Sequence, residues 1–181
     1  MSRLTVFAED DPATPLVETS DPAAIAAALA DIDVQFERWP TVALPADADN
    51  QAVLDAYAGD IARLSAAGGY RSCDVIRMAP DHPERTALRG KFLSEHTHGE
   101  DEVRFFVDGA GLFTLRGGGR VFNMLCERDD LIRVPAGIRH WFDMGESPRF
   151  TAIRLFTSPD GWVARFTGDA IADRFPRFAP A

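Results

Sequence analysis

A chain of 181 residues has room for one domain with a modest extension, and 46% hydrophobic against 26% charged residues excludes a disordered or fibrous polypeptide. The formal net charge of −9 repels phosphate backbones, which argues against nucleic acid as a partner. No apolar run reaches transmembrane length, the start lacks a signal-peptide pattern, and Cys73 and Cys126 lie far apart. The expectation is a cytoplasmic protein that needs no disulfide and no membrane.

In chain order, Thr19-Ser20-Asp21-Pro22 opens a helix that carries Ile25, Leu29 and Ile32 on one stripe. VQFERWP at 34–40 reads as an extended segment closed by Pro40. A second helix is expected from about Asn50 to Ala67, stopped by Gly68-Gly69, with Val53, Leu54, Tyr57, Ile61 and Leu64 as its apolar stripe. From Tyr70 the pattern turns to short strand-like runs: SCDVIRM, KFLSEHTH, EVRFFV, GLFTLR, RVFNMLCE, DLIRVP, RHWFDM and RFTAIRLF. No crossover helices part them, so an antiparallel sandwich or barrel is expected over 70–181, with 1–69 as a helical extension packed on it, one compact domain in all. Gly117-Gly118-Gly119 reads as a hairpin turn and not a phosphate loop, because a strand follows it. Trp39, Trp141 and Trp162 read as packing residues, and His82 as a loop residue.

The chemical signal is concentrated in His96-Thr97-His98-Gly99-Glu100-Asp101-Glu102. Imidazoles at i and i+2 on a strand share a face, and a short turn returns the Glu102 carboxylate to the same side. His140, on a strand that can come back beside the first, completes three imidazoles and one carboxylate. Without thiolates a closed structural zinc site is disfavoured; four N/O ligands leave two positions on an octahedral Fe(II), Ni(II) or Mn(II) ion. Two adjacent free positions suit a bidentate oxygen ligand such as an enediolate.

Alternation then puts Arg104 and Phe106 on the Glu102 face, as candidates to meet substrate, and Val103, Phe105 and Val107 on the other. Arg104 either holds an anionic substrate or forms a structural ion pair with Glu102. Phe142 and Met144 share the His140 face as pocket walls, and Arg154 is a second candidate cation. Glu95 and Asp101 flank the ligands, either as outer hydrogen-bond partners that orient an imidazole or as solvated turn acids. The apolar Val103/Phe105/Val107 face suits the front helices or a second copy, so a monomer and a small homo-oligomer both remain open.

These residues resemble a known family. Gly90 to Gly109 matches the first cupin motif, G-x5-H-x-H-x3-E-x6-G, at every defined position. The second, G-x5-P-x-G-x2-H-x3-N, is met at Pro135, Gly137 and His140 but departs at Asp129 and Met144. VQFERW, YRSCDVI, KFLSEHTHGEDEVRFFVDGAGLF and VPAGIRHWFDMG are similar to acireductone dioxygenases within the cupins. The resemblance implies a jelly-roll barrel with one Fe(II) or Ni(II) per chain on His96, His98, Glu102 and His140, Arg104 as the catalytic cation, and a place in methionine salvage. It implies 1,2-dihydroxy-3-keto-5-methylthiopentene and O2 as substrates. The iron form is expected to give 4-methylthio-2-oxobutanoate and formate, the nickel form methylthiopropionate, formate and carbon monoxide. Another cupin dioxygenase acting on a diketone or enediol, or a non-catalytic metal- or ligand-binding cupin, is the alternative.

Overall fold

Alternating apolar residues build strands that pair antiparallel in two sheets sharing one long strand. The computed structural model describes residues 1–40, 42–45, 47–158 and 162–179. One sheet begins with the hairpin β1 (Arg3–Ala8) and β2 (Asp11–Thr19); the other takes β3 (Gln35–Arg38) and β4 (Ser72–Met78). The two-residue β5 (His96–Thr97) precedes the shared β6 (Glu102–Gly117), followed by β7 (Arg120–Glu127), β8 (Asp130–Val134), β9 (Arg139–Asp143), β10 (Phe150–Phe156) and β11 (Arg165–Phe166). The first sheet runs β11-β5-β9-β6-β7-β1-β2, and the second β3-β8-β6-β10-β4.

EVRFFV and GLFTLR are thus one 16-residue strand, not two. Its first part pairs with β8 and β10 and its second with β7 and β9, which lets it pass from one sheet to the other. The change comes at Gly109, where φ is +74° and a Cβ would lie 1.9 Å from the Arg149 carbonyl oxygen, so only glycine fits. Gly118 and Gly119, both at positive φ, close the β6–β7 hairpin as expected. Asp129, standing where the motif has glycine, itself takes φ +79°, a conformation that aspartate tolerates better than most residues.

The front section is less helical than expected. Helix α1 (Pro22–Ala30) forms, with the Asp21 carboxylate accepting from the Ala24 N–H at 2.9 Å. Residues 1–69 nevertheless supply β1, β2 and β3, so they are part of both sheets and not a helical extension. The alternation of Leu4 and Val6 in RLTVFA, both buried, is the strand signal there. The expected long helix is broken at Tyr57 into α2 (Asn50–Ala56) and α3 (Ala58–Gly68), capped by Asp49 instead of Asn50. The break lays the Tyr57 ring edge-on against Phe105, with centroids 4.9 Å apart.

KFLSEHTH is not one strand either. Its first residues close helix α4 (Arg85–Phe92), whose Leu88 and Phe92, four apart, pack on the core. The inner core collects Phe106, Phe113, Phe122, Met124, Ile132 and Phe150 from both sheets. The opposite face of β6, Val103, Phe105 and Val107, is covered by Trp39, Val53, Tyr57 and Leu64 of the front section. Trp39 stacks on Phe105 at 4.5 Å, and Trp141 is buried beside Phe175. Among the described residues no helix is long and apolar enough to cross a membrane.

Asp143, at the end of β9, ties three segments together. It accepts from Arg89 Nε (2.7 Å) and Nη2 (3.1 Å) on α4, and from the N–H groups of Gly145 (2.8 Å) and Phe178 (3.0 Å). Burial opposes its ionisation, but the Arg89 bonds and the two amides outweigh that and lower its pKa below the ordinary 3.8. Asp143→Asn is therefore expected to destabilise the fold by about 1–3 kcal/mol at neutral pH, read by urea unfolding. A depressed carboxyl stabilises above its unfolded pKa and loses that contribution as pH falls through the folded value. The gap between variant and wild type should accordingly close as the pH drops below about 4.

Candidate metal centre

Three imidazoles converge where β5 pairs with β9. His96 and His140 sit opposite each other in the ladder, and His98 follows two residues after His96 on the same face. Each offers a nitrogen within 4.8 Å of the others, and all three are buried. Their ring centroids are 4.6–5.1 Å apart.

Backbone carbonyls orient all three rings. His96 Nδ1 lies 2.7 Å from the Ser94 oxygen, His140 Nδ1 2.8 Å from that of Ile138, and His98 Nδ1 3.1 Å from that of Val163. A carbonyl can only accept, so each Nδ1 carries a hydrogen and each ring turns its Nε2 toward the shared centre. Glu102 Oε2 lies 3.0 Å from His98 Nε2 and 3.2 Å from His140 Nε2. Without an ion, a proton on Nε2 bridges an imidazole to this carboxylate; a bound cation would take that proton's place among the same donors. The donor set fits a borderline transition ion.

Burial, then the neighbouring His140 ring, pulls the His96 pKa down to about 4. Burial also opposes a charged His98, but Glu102 outweighs it and shifts that pKa upward. For Glu102, burial disfavours ionisation, while the Arg104 guanidinium and the two imidazoles hold the carboxyl well below its usual range.

Arg104 donates from Nη2 to Glu102 Oε1 at 2.8 Å, so the expected ion pair is present. Its guanidinium carbon lies 4.5 Å from the Phe142 ring centroid, 5.1 Å from Phe113 and 5.5 Å from Trp162. Its Nε is buried without a hydrogen-bond partner among the described residues. These groups line a cavity of ≈ 260 Å³ that also takes in Phe142, Met144, Arg154 and an apolar wall of Ile76, Leu88, Phe92 and Phe150. Arg154 reaches it while paired bidentately with Asp74 at 2.8 and 2.6 Å.

Other expected placements differ. Phe106 shares the Glu102 face but lies deeper, fully buried against the Phe113 and Phe150 rings and away from the cavity lining. Glu95 and Asp101 are not solvated turn acids, and neither bonds an imidazole. The Glu95 carboxylate accepts from Arg116 Nη1 at 3.2 and 3.3 Å and from Thr167 Oγ1 at 2.8 Å, which fastens β11 to the strand carrying His96. Asp101 accepts from Arg133 (2.7 and 2.8 Å), Tyr70 and the Ala136 N–H, anchoring the turn that leads to His140. The carbonyls of Ser94, Ile138 and Val163 already take the Nδ1 hydrogens that an outer carboxylate would otherwise receive.

Trp162 is a cavity residue instead of simple packing, with its indole Nε1 buried and without a hydrogen-bond partner among the described residues. Leu88 and Phe92 of α4 also line the cavity; Phe92 falls in the run expected to be a strand, and the i, i+4 spacing of the pair is the helical signal that places them. His82 stays in the loop before α4, where its Nδ1 accepts from the Glu84 N–H.

The comparisons agree with this geometry. The ARD/ARD' family profile matches residues 3–164. An acireductone dioxygenase of Parvibaculum lavamentivorans is 60% identical over 98% of this chain and 97% of its own, and one of Serratia proteamaculans is 57% identical over 98% and 99%. The solved acireductone dioxygenase of Bacillus anthracis, described with cadmium in its active center, superposes with a TM-score of 0.82 at 30% identity, covering 92% of this chain and 98% of that one. The chain belongs to the ARD/ARD' family of acireductone dioxygenases.

Proposed function

We propose that this chain cleaves the acireductone 1,2-dihydroxy-3-keto-5-methylthiopentene with O2, using one Fe(II) or Ni(II) ion held by His96, His98, His140 and Glu102. The observation that carries the reading is the set of three imidazoles whose Nδ1 hydrogens are spent on backbone carbonyls beside a buried carboxylate. When bound, such an ion supplies coordination positions for the enediol oxygens and the electrophilic pull that favours their deprotonation.

The remaining work falls to the chain itself. Arg104, anchored on Glu102 and stacked on Phe142, places a fixed positive charge in the cavity to balance the enediolate. Its free Nε and the free indole N–H of Trp162 are donors awaiting an acceptor, which an oxygen-rich substrate provides. Ile76, Leu88, Phe92 and Phe150 offer an apolar wall for the methylthioethyl tail and keep water from the reacting carbons. Each of these groups comes from a single chain. On this reading the ion chooses the products: the keto acid and formate with Fe(II), methylthiopropionate, formate and carbon monoxide with Ni(II). The two unpaired cysteines support a reducing cytoplasmic setting.

The test is metal analysis joined to an aerobic assay on iron- and nickel-loaded protein. Loss of the enediolate ultraviolet band is expected with both ions, and carbon monoxide with nickel alone. Metal-loaded protein that leaves the band unchanged in air would overturn the reading in favour of a binding cupin.

A further inference from the structure

The charges around the cavity are unequal in a way that the ligand set does not explain. Among the described lining residues, Glu102 is the single carboxylate, against Lys91, Arg104 and Arg154. Arg104 is paired with Glu102 and Arg154 with Asp74. Lys91, exposed on α4 at the cavity rim, has no hydrogen bond or ion pair among the described residues. Its neighbour Phe92 and the preceding Leu88 form the apolar wall, so the ammonium stands where a ligand passes from water to that wall.

We propose that Lys91 is a specificity-determining residue that draws the anionic, enediolate form of the substrate into the cavity, an attraction that a neutral dicarbonyl does not feel. The inference rests on the acireductone reading above and extends it to a residue outside the metal centre. A chain of net charge −9 repels an enediolate at long range, so capture needs a local reversal of sign at the entrance. Both arginines are already committed to carboxylates, Arg104 to Glu102 inside the cavity and Arg154 to Asp74, which leaves Lys91 as the lining cation without a fixed partner among the described residues. A lysine suits the task, because its compact charge on a flexible stem can follow a ligand without fixing a bidentate geometry.

Anaerobic titration of the metal-loaded protein with acireductone isolates binding from turnover. In water a unit charge about 7 Å from a monoanion is worth roughly a threefold change in affinity. Lys91→Gln and Lys91→Met should each raise Kd about threefold at low salt, Lys91→Glu about tenfold, and Lys91→Arg should restore the wild-type value. The differences should vanish toward 1 M salt, where the screening length is ~3 Å. In air the same variants should raise KM and leave kcat in place.

Lys91 is also the chain's single lysine. Acetylation of the wild-type protein therefore removes this charge without touching another side-chain amine, and should reproduce the Lys91→Gln affinity. Unaltered Kd in Lys91→Gln at low salt, or a loss that persists at 1 M salt, overturns the proposal. Wild-type protein that binds no acireductone at all would instead overturn the substrate reading on which it rests.

Discussion

Replacing Arg104 with Met is expected to lower kcat/KM for acireductone by about 10²–10³-fold while metal content stays at one ion per chain. The magnitude is that of removing one preorganised charge from a site where negative charge must be accommodated. Arg104 touches Glu102 through Nη2 at 2.8 Å, and its guanidinium is held against Phe142 and Phe113. Methionine keeps the apolar contact and loses the charge and the hydrogen bonds. In metal-free protein the change also strands the buried Glu102 carboxylate, at a cost of about 3–5 kcal/mol. A bound dication would relieve most of that cost, so melting curves with and without metal should separate the two roles. A large destabilisation confined to the metal-free form, with kcat/KM unchanged, would restrict Arg104 to pairing with Glu102.

The sequence made the ligand face legible because strand alternation is a local rule. His96 and His98 two apart, Glu102 and Arg104 two apart, and His140, Phe142 and Met144 in one series all land where a period of two puts them. The same rule sent Phe106 to the right face and said nothing of its depth. What was not legible depends on contacts between distant segments. The Val163 carbonyl that orients His98 lies 65 residues away, and no local spacing points to it. Glu95 and Asp101 were visible as neighbours of the ligands, yet their partners Arg116, Thr167 and Arg133 decide what they do. They fix the backbone beneath the imidazoles, not the rings. The front section misled for another reason: alanine-rich runs announce helices loudly, whereas RLTVFA is six residues whose strand character matters only once β7 is there to pair with it.

His96→Ala is expected to lower metal affinity at least about 100-fold, since loss of an outer partner alone typically costs 10–100-fold and this change removes an inner donor. The variant should be inactive for want of its ion. His96 faces His140 directly across the β5–β9 pair, so its removal leaves His98, His140 and Glu102 on one side of an opened pocket. A folding defect is separable from a binding defect here. Burial and the His140 ring disfavour a charged His96, whose pKa is pulled down to about 4, so in the metal-free fold the change removes no charge, only the packing of a buried ring and its hydrogen bond to the Ser94 carbonyl. The metal-free variant should therefore melt below metal-free wild type, reflecting the cost of that cavity and bond, about 1–3 kcal/mol, and the binding defect is read from the response to metal. Added metal stabilises only a protein that binds it, by an amount that grows with the ratio of free ion to Kd. Wild type should therefore melt higher when loaded and fall back with chelator, while His96→Ala should ignore both. A variant that keeps a full ion would remove His96 from the ligand set and leave the two remaining imidazoles and Glu102 to hold the metal. Glu102→Gln supplies the contrast: the amide keeps the shape and one oxygen but loses the charge, so its metal affinity should fall less than that of His96→Ala.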